Sequence, residues 1–176
     1  MNLVANFVGF QVGWFACVLG AANHMPVMGS LIAAVIVTYH LYRYCFALNE
    51  CYLILAAVVV GFIWETIVIS QDLLFYPLSE AAIVAPIWLV MMWALFATTI
   101  NVSMAWLKGR WILAVILGAI FGPMAFLGGE KLGAVVFVDS KMALLVLSLG
   151  WAILMPLILW IADFINGLDP VGETIK

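Results

Sequence analysis

Six runs of about twenty apolar residues, each long enough to cross a hydrocarbon layer about 30 Å thick at 1.5 Å per residue, occupy most of this chain. They extend approximately from Leu3 to Asn23, Val27 to Tyr44, Cys51 to Ser70, Ala81 to Leu107, Trp111 to Gly128 and Met142 to Ile165. With 68% hydrophobic and 9% charged residues, too little polar surface remains to cover a water-soluble globule. Lipid must be the solvent. The pattern predicts an all-α, integral membrane bundle of six transmembrane helices forming a single domain over residues 1–176, with the bilayer as its main partner.

The breaks between runs are chemically sensible. His24-Met25-Pro26 and Ala47-Leu48-Asn49-Glu50 read as short turns, and Lys108-Gly109-Arg110 sets two cations and a helix breaker between apolar runs. Leu132 to Ser140 is too short to span; it reads as a loop, with an extension of the fifth helix and an interfacial or re-entrant segment as the other readings. The first run lacks a preceding Lys or Arg, so a retained helix is expected rather than a cleaved leader. With cytoplasmic N- and C-termini, Arg43, Lys108, Arg110 and Lys176 lie inside and Lys131 and Lys141 outside, as the positive-inside rule prefers. Tyr42, Tyr44, Tyr52, Trp106 and Trp111 would then anchor the inner interface.

Helices in lipid associate through close backbone approach, so small and polar faces should point inward. Asn6, Gly9, Gly13, Ala16, Gly20 and Asn23 form one such stripe, Ala114, Gly118, Gly122, Ala125 and Gly129 a second, and Ala94, Thr98, Asn101 and Ala105 a third. Tight packing within one chain explains them, with a homodimer face as the other reading. Pro86, Pro123 and Pro156 fall within crossing runs and are expected to free backbone carbonyls there.

Ala57, Gly61 and Glu65 follow at four-residue steps, which turns the carboxylate toward the bundle interior. An acid there costs about 2.5–3.5 kcal/mol on insertion scales, so Glu65 is either a proton- or ligand-handling group or a protonated acid hydrogen-bonded to a neighbouring helix. It lies about 21 Å along the axis from Cys51, toward the outer side, where Asn23, His24 and Asp72 are expected to join it in a polar cluster. An inner cluster of Asn6, His40, Arg43, Thr98 and Asn101 is expected at the opposite depth, with His40 and Arg43 adjacent at i and i+3. Interfacial solvation is the plainer reading of both.

Several functions lack machinery. A net charge of −3 supplies no basic patch for nucleic acid. Two histidines without a His-x-x-x-His or Glu-x-x-His pair give no metal site, and Cys17, Cys45 and Cys51 form no Cys-x-x-Cys pair. No phosphate-binding loop, dinucleotide fingerprint or nucleophile elbow is present, so no cofactor and no catalytic residue are expected. Asn101-Val102-Ser103 matches a glycosylation pattern inside a crossing and reads as packing.

The Asn6 to Ala22 helix, Pro86-Ile87-Trp88 through Phe96-Ala97 to Asn101 and Trp106-Leu107, and Gly122-Pro123-Met124-Ala125 with Leu132-Gly133-Ala134 follow in an order that resembles the bacterial membrane proteins grouped as domain of unknown function family 2878. The resemblance covers nearly the whole chain. It implies a multi-pass protein of the bacterial inner (cytoplasmic) membrane, with no catalytic residues to carry over and a thin connection to lipid metabolism. Three functions are consistent with these expectations: a small transporter or binder of a lipidic or weakly polar molecule that uses the buried acid, a scaffold for other membrane enzymes, and an intramembrane lipid-modifying enzyme using the outer carboxylates.

Overall fold

The computed structural model describes residues 2–44, 47–77 and 84–168. Among them run six α-helices: α1 (Leu3–Ala22), α2 (Pro26–Arg43), α3 (Leu48–Ser70), α4 (Ile87–Ile100), α5 (Trp111–Lys131) and α6 (Ser140–Gly167). Cys45, Lys176 and the expected start of the fourth crossing at Ala81 lie outside the described residues. Four helices, α1, α3, α5 and α6, are long and apolar enough to cross a membrane.

Helix α4 departs most from expectation. Instead of running from Ala81 to Leu107 it has 14 residues, about 21 Å of helix, and every residue from Trp93 to Ile100 is buried. It stands at the centre, packed against α1, α2, α3 and α6. Pro86 caps its start in an extended conformation (φ −67°, ψ 151°), the position where a missing N–H costs nothing, so this proline begins a helix and kinks none. At its other end Thr98 and Thr99 turn their hydroxyls back onto the carbonyls of Leu95 and Phe96, both at 2.7 Å, and the chain leaves through a 3-10 turn at Ala105–Leu107. Pro123 and Pro156 do lie inside helices, in α5 and α6.

Two further boundaries shift. Helix α3 begins at Leu48, so Asn49 and Glu50 belong to its first turn and not to a loop. The stretch expected as a plain loop after α5 contributes β2 (Val136–Phe137), which pairs antiparallel with β1 (Leu74–Phe75) in the α3–α4 connection, Leu74 facing Phe137 and Phe75 facing Val136. This ribbon and Ala22, which would stand 3.8 Å from a Cβ on Gly133, gather the α1–α2, α3–α4 and α5–α6 connections at one end of the bundle.

Glycines set the closest helix contacts. A Cβ on Gly29 of α2 would run into the carbonyl of Ala16 and the Cα of Cys17 on α1, and one on Gly118 of α5 into the backbone carbonyl of Trp151 on α6. These are backbone-to-backbone approaches, the device that holds helices together where lipid removes the hydrophobic drive. The first stripe serves this purpose over most of its length, but Asn23 is exposed; in the second, Phe126 is buried where Ala125 is exposed.

Candidate functional site

Two groups of buried polar side chains lie at different depths. The first ties together the end of the bundle where α2 stops and α3 starts. His40 Nε2 lies 2.9 Å from Glu50 Oε2, and both residues are buried. Asn101, the residue that ends α4, donates to Glu50 Oε1 at 2.8 Å while its own oxygen accepts from Lys108 Nζ at 2.6 Å and from Asn166 Nδ2 at 3.0 Å. Asn49 donates to Asn166 at 3.3 Å, and Lys108 reaches Asp163 at 3.2 Å near the surface. One acid in the first turn of α3 is thereby linked to α2, to the end of α4 and to α6.

Of the expected inner cluster, the structure brings His40 and Asn101 together through Glu50. Asn6 and Thr98 meet separately. The Asn6 amide donates to the Thr98 carbonyl at 3.0 Å, and its oxygen accepts from Ser103 N at 3.2 Å, so α1 satisfies backbone groups left open where α4 stops. Arg43 is exposed, whereas His40 turns inward and rests against the Tyr44 ring at 4.8 Å. Glu50, Lys108, Asp163 and Asn166 were not among the residues expected in the cluster. For Glu50 a signal existed: the stripe Ala57, Gly61, Glu65 continues back through Leu53 to Glu50, and all five are buried.

The second group surrounds Glu65. This acid is 1% exposed, and its Oε1 accepts from the indole N–H of Trp93 on α4 at 3.1 Å. Gly61, one turn earlier on α3, makes room for that indole, since any Cβ there would collide with the Trp93 ring. Trp93 stacks on Trp151 of α6, centroids 5.0 Å apart and planes 11° from parallel, and Gly118 and Gly122 of α5 accommodate Trp151 in turn. Gly150 does the same for Trp64. Tyr76, beyond β1, is buried edge-on against Trp88 at 5.7 Å; burial, and next the nearby Glu65 carboxylate, push its phenol well above the usual range. Glu65 Oε2, Tyr76 Oη and the indole nitrogens of Trp64 and Trp151 are all buried without a hydrogen-bond partner among the described residues.

The expected outer cluster does not assemble. Asn23, His24 and Asp72 are exposed at helix ends, and Asn23 donates to the Leu19 carbonyl of its own helix at 2.8 Å. His24 (φ 60°) and Asp72 (φ 53°) adopt the left-handed conformation that His and Asp tolerate better than most residues, so they end helices. With its single hydrogen bond going to Trp93, Glu65 has neither of them as an acid–base partner. Among the described residues no group of three His, Cys, Asp or Glu is placed to hold a metal ion.

A helical bundle with four helices apolar enough to span, and with its polar groups gathered inside, is the architecture of an α-helical membrane protein. More particularly, the chain belongs to the family described as "Protein of unknown function (DUF2878)", which matches it over residues 3–157. No curated protein and no solved structure matches it.

Proposed function

We propose that this protein binds and carries a lipidic or weakly polar molecule within the bacterial inner membrane, with Glu65 receiving the polar end of that molecule or its proton. What supports this reading is Glu65 Oε2, buried without a hydrogen-bond partner among the described residues, while Oε1 accepts from the indole of Trp93, which stacks on Trp151 of α6. A structural acid would be expected to have both oxygens satisfied, because an open acceptor in an apolar interior costs about 1–3 kcal/mol. The helices cross six times in this reading, the short α4 being sheltered by its neighbours and α2 turning a largely apolar face outward. Both chain ends and the Arg43, Lys108 and Arg110 end then face the cytoplasm.

The test compares wild-type protein and Glu65→Gln, purified in parallel in mild detergent, for small molecules recovered by organic extraction and mass spectrometry. Glutamine preserves shape and an oxygen for Trp93 to donate to. The variant is expected to elute and melt like the wild type while losing most of the bound molecule. Equal recovery from both would dismiss Glu65 as the binding group. Partner proteins recovered in fixed ratio, with no bound small molecule, would favour a scaffold instead.

The surface end of the inner network should matter far less. Lys108 and Asp163 are partly exposed, and such pairs contribute about 0–1 kcal/mol. Asp163→Asn is therefore expected to leave the midpoint of an SDS unfolding titration within error of the wild type; a shift comparable to that of a core variant would show that the pair is shielded from solvent.

A further inference from the structure

We propose that the groove where α5 begins binds one anionic glycerophospholipid, its phosphate on Arg110 and the upper part of an acyl chain along the apolar residues below. Nothing in this depends on Glu65. The groove is shallow and open, about 510 Å³, and is lined by Gly109, Arg110, Trp111, Ile112, Leu113 and Ile116. Depth fixes what surrounds it. As a spanning helix, the 21 residues of α5 cover about 31 Å, which matches the hydrocarbon thickness of a bilayer. Arg110, immediately before the first of them, then stands at the level of the lipid phosphates, and Ile112 and Ile116 among the first methylenes. Trp106 and Trp111, both exposed, flank the cation as rings at a membrane–water boundary do. Ile112 is 80% exposed, and the main neighbour of α5 within the chain is α6, so the apolar side of the groove is left for lipid to cover.

Charge complementarity selects the head group. Among the described residues Arg110 has no ion pair and no side-chain hydrogen bond; it rests over the Trp106 ring, its guanidinium carbon 5.8 Å from the centroid. The ring limits where the guanidinium can go and leaves its fork of N–H donors to a phosphate, which that fork fits bidentately. Arg43, Lys131 and Lys141 are exposed too, but none of them is held in this way among the described residues. Acids at this end do not compete: the first turn of α5 carries none, Asp163 is taken by Lys108 at 3.2 Å, and Glu50 by His40 and Asn101. A zwitterionic phospholipid would bring its own cation toward Arg110, as like charge; an anionic one brings none. Gly109 (φ 73°) leaves space for the rest of the head group, since nothing stands within 4 Å of where its Cβ would be.

Native mass spectrometry of the protein in detergent, titrated with dioleoyl phosphatidylglycerol or dioleoyl phosphatidylcholine, reads the first lipid bound. Phosphatidylglycerol is expected to bind about fivefold more tightly, the scale of one cation meeting one anionic lipid. Arg110→Gln should bring the two lipids level, Arg110→Lys should keep part of the preference, and Ile116→Trp, which fills the groove from an exposed position, should weaken both. Arg43→Gln removes a cation that does not line the groove and should change nothing. Two lipids bound alike by the wild type would overturn the site. Equal loss of preference from Arg110→Gln and Arg43→Gln would overturn it as well, because only the net charge of the surface would then be read. So would displacement of phosphatidylglycerol by millimolar inorganic phosphate, which has no chain to lay in the groove, or a protein dimer that Ile116→Trp abolishes, which would make a second copy the occupant. All four variants change exposed side chains and leave Glu65 untouched, so failure here and failure of the Glu65 reading are separate results.

Discussion

Glu50→Ala is expected to lower stability by about 3–5 kcal/mol, the cost of breaking a buried pair by removing one partner. His40, 1% exposed, would lose the group 2.9 Å from its Nε2, and the Asn101 amide would lose its acceptor at 2.8 Å. His40 is too deeply buried for water to take that place readily. Magnitudes decide which part of the network matters: a neutral interhelical hydrogen bond within a membrane is worth on average about 0.6 kcal/mol, so Asn166→Ala should cost little. A stranded buried group costs several times more. The measurement is the midpoint of SDS-induced unfolding followed by far-UV circular dichroism. A double variant, His40→Leu with Glu50→Leu, should recover part of the loss, because the imidazole no longer needs a partner. A Glu50→Ala loss below about 1 kcal/mol would mean that the network holds nothing together.

Gly29→Ala should be nearly as damaging, and Gly9→Ala harmless, although both add one methyl group to the α1–α2 contact. At Gly29 the new Cβ runs into the Ala16 carbonyl and the Cys17 Cα, which are backbone and cannot rotate away, so the two helices must part. Overpacking of this kind costs about 1–3 kcal/mol and here falls at the upper end, because separation also strips the contact of Cys17 Sγ with the Gly29 carbonyl at 3.7 Å. At Gly9 the nearest atom is Ile36 Cγ2 at 3.6 Å, an ordinary contact. Alanine is also the better helix former by about 0.5–1 kcal/mol, so Gly9→Ala should be neutral or slightly stabilising. Thermal melting of the two variants side by side checks this. Equal melting points would show that the α1–α2 approach is looser than its geometry implies.

The helices and the inward turn of Glu65 were legible because each follows from local periodicity. An apolar run of about 20 residues is long enough to cross a bilayer as a helix, and Ala57, Gly61 and Glu65 share a face whatever lies opposite. Glu50 belonged to the same stripe but was hidden by a misplaced boundary: Asn49 and Glu50 look like turn residues, and only the Asn49 side chain accepting from the Glu50 N–H at 2.9 Å shows how they fit a first helical turn. The outer cluster failed for a related reason. Depth along a helix axis puts Asn23, His24, Glu65 and Asp72 near one level, but says nothing of whether a residue faces inward or ends its helix.

From sequence alone came the all-helical class, the apolar character of the helices and several of their inward faces, since these depend on spacing within single segments. Tertiary structure alone decided that the shortest helix, α4, stands in the middle, that Trp93 meets Glu65, and that Glu50 joins His40 to Asn101. Such pairings join residues up to 51 positions apart, and whether they form depends on which glycines let two backbones approach, a property of helix pairs that no single helix carries.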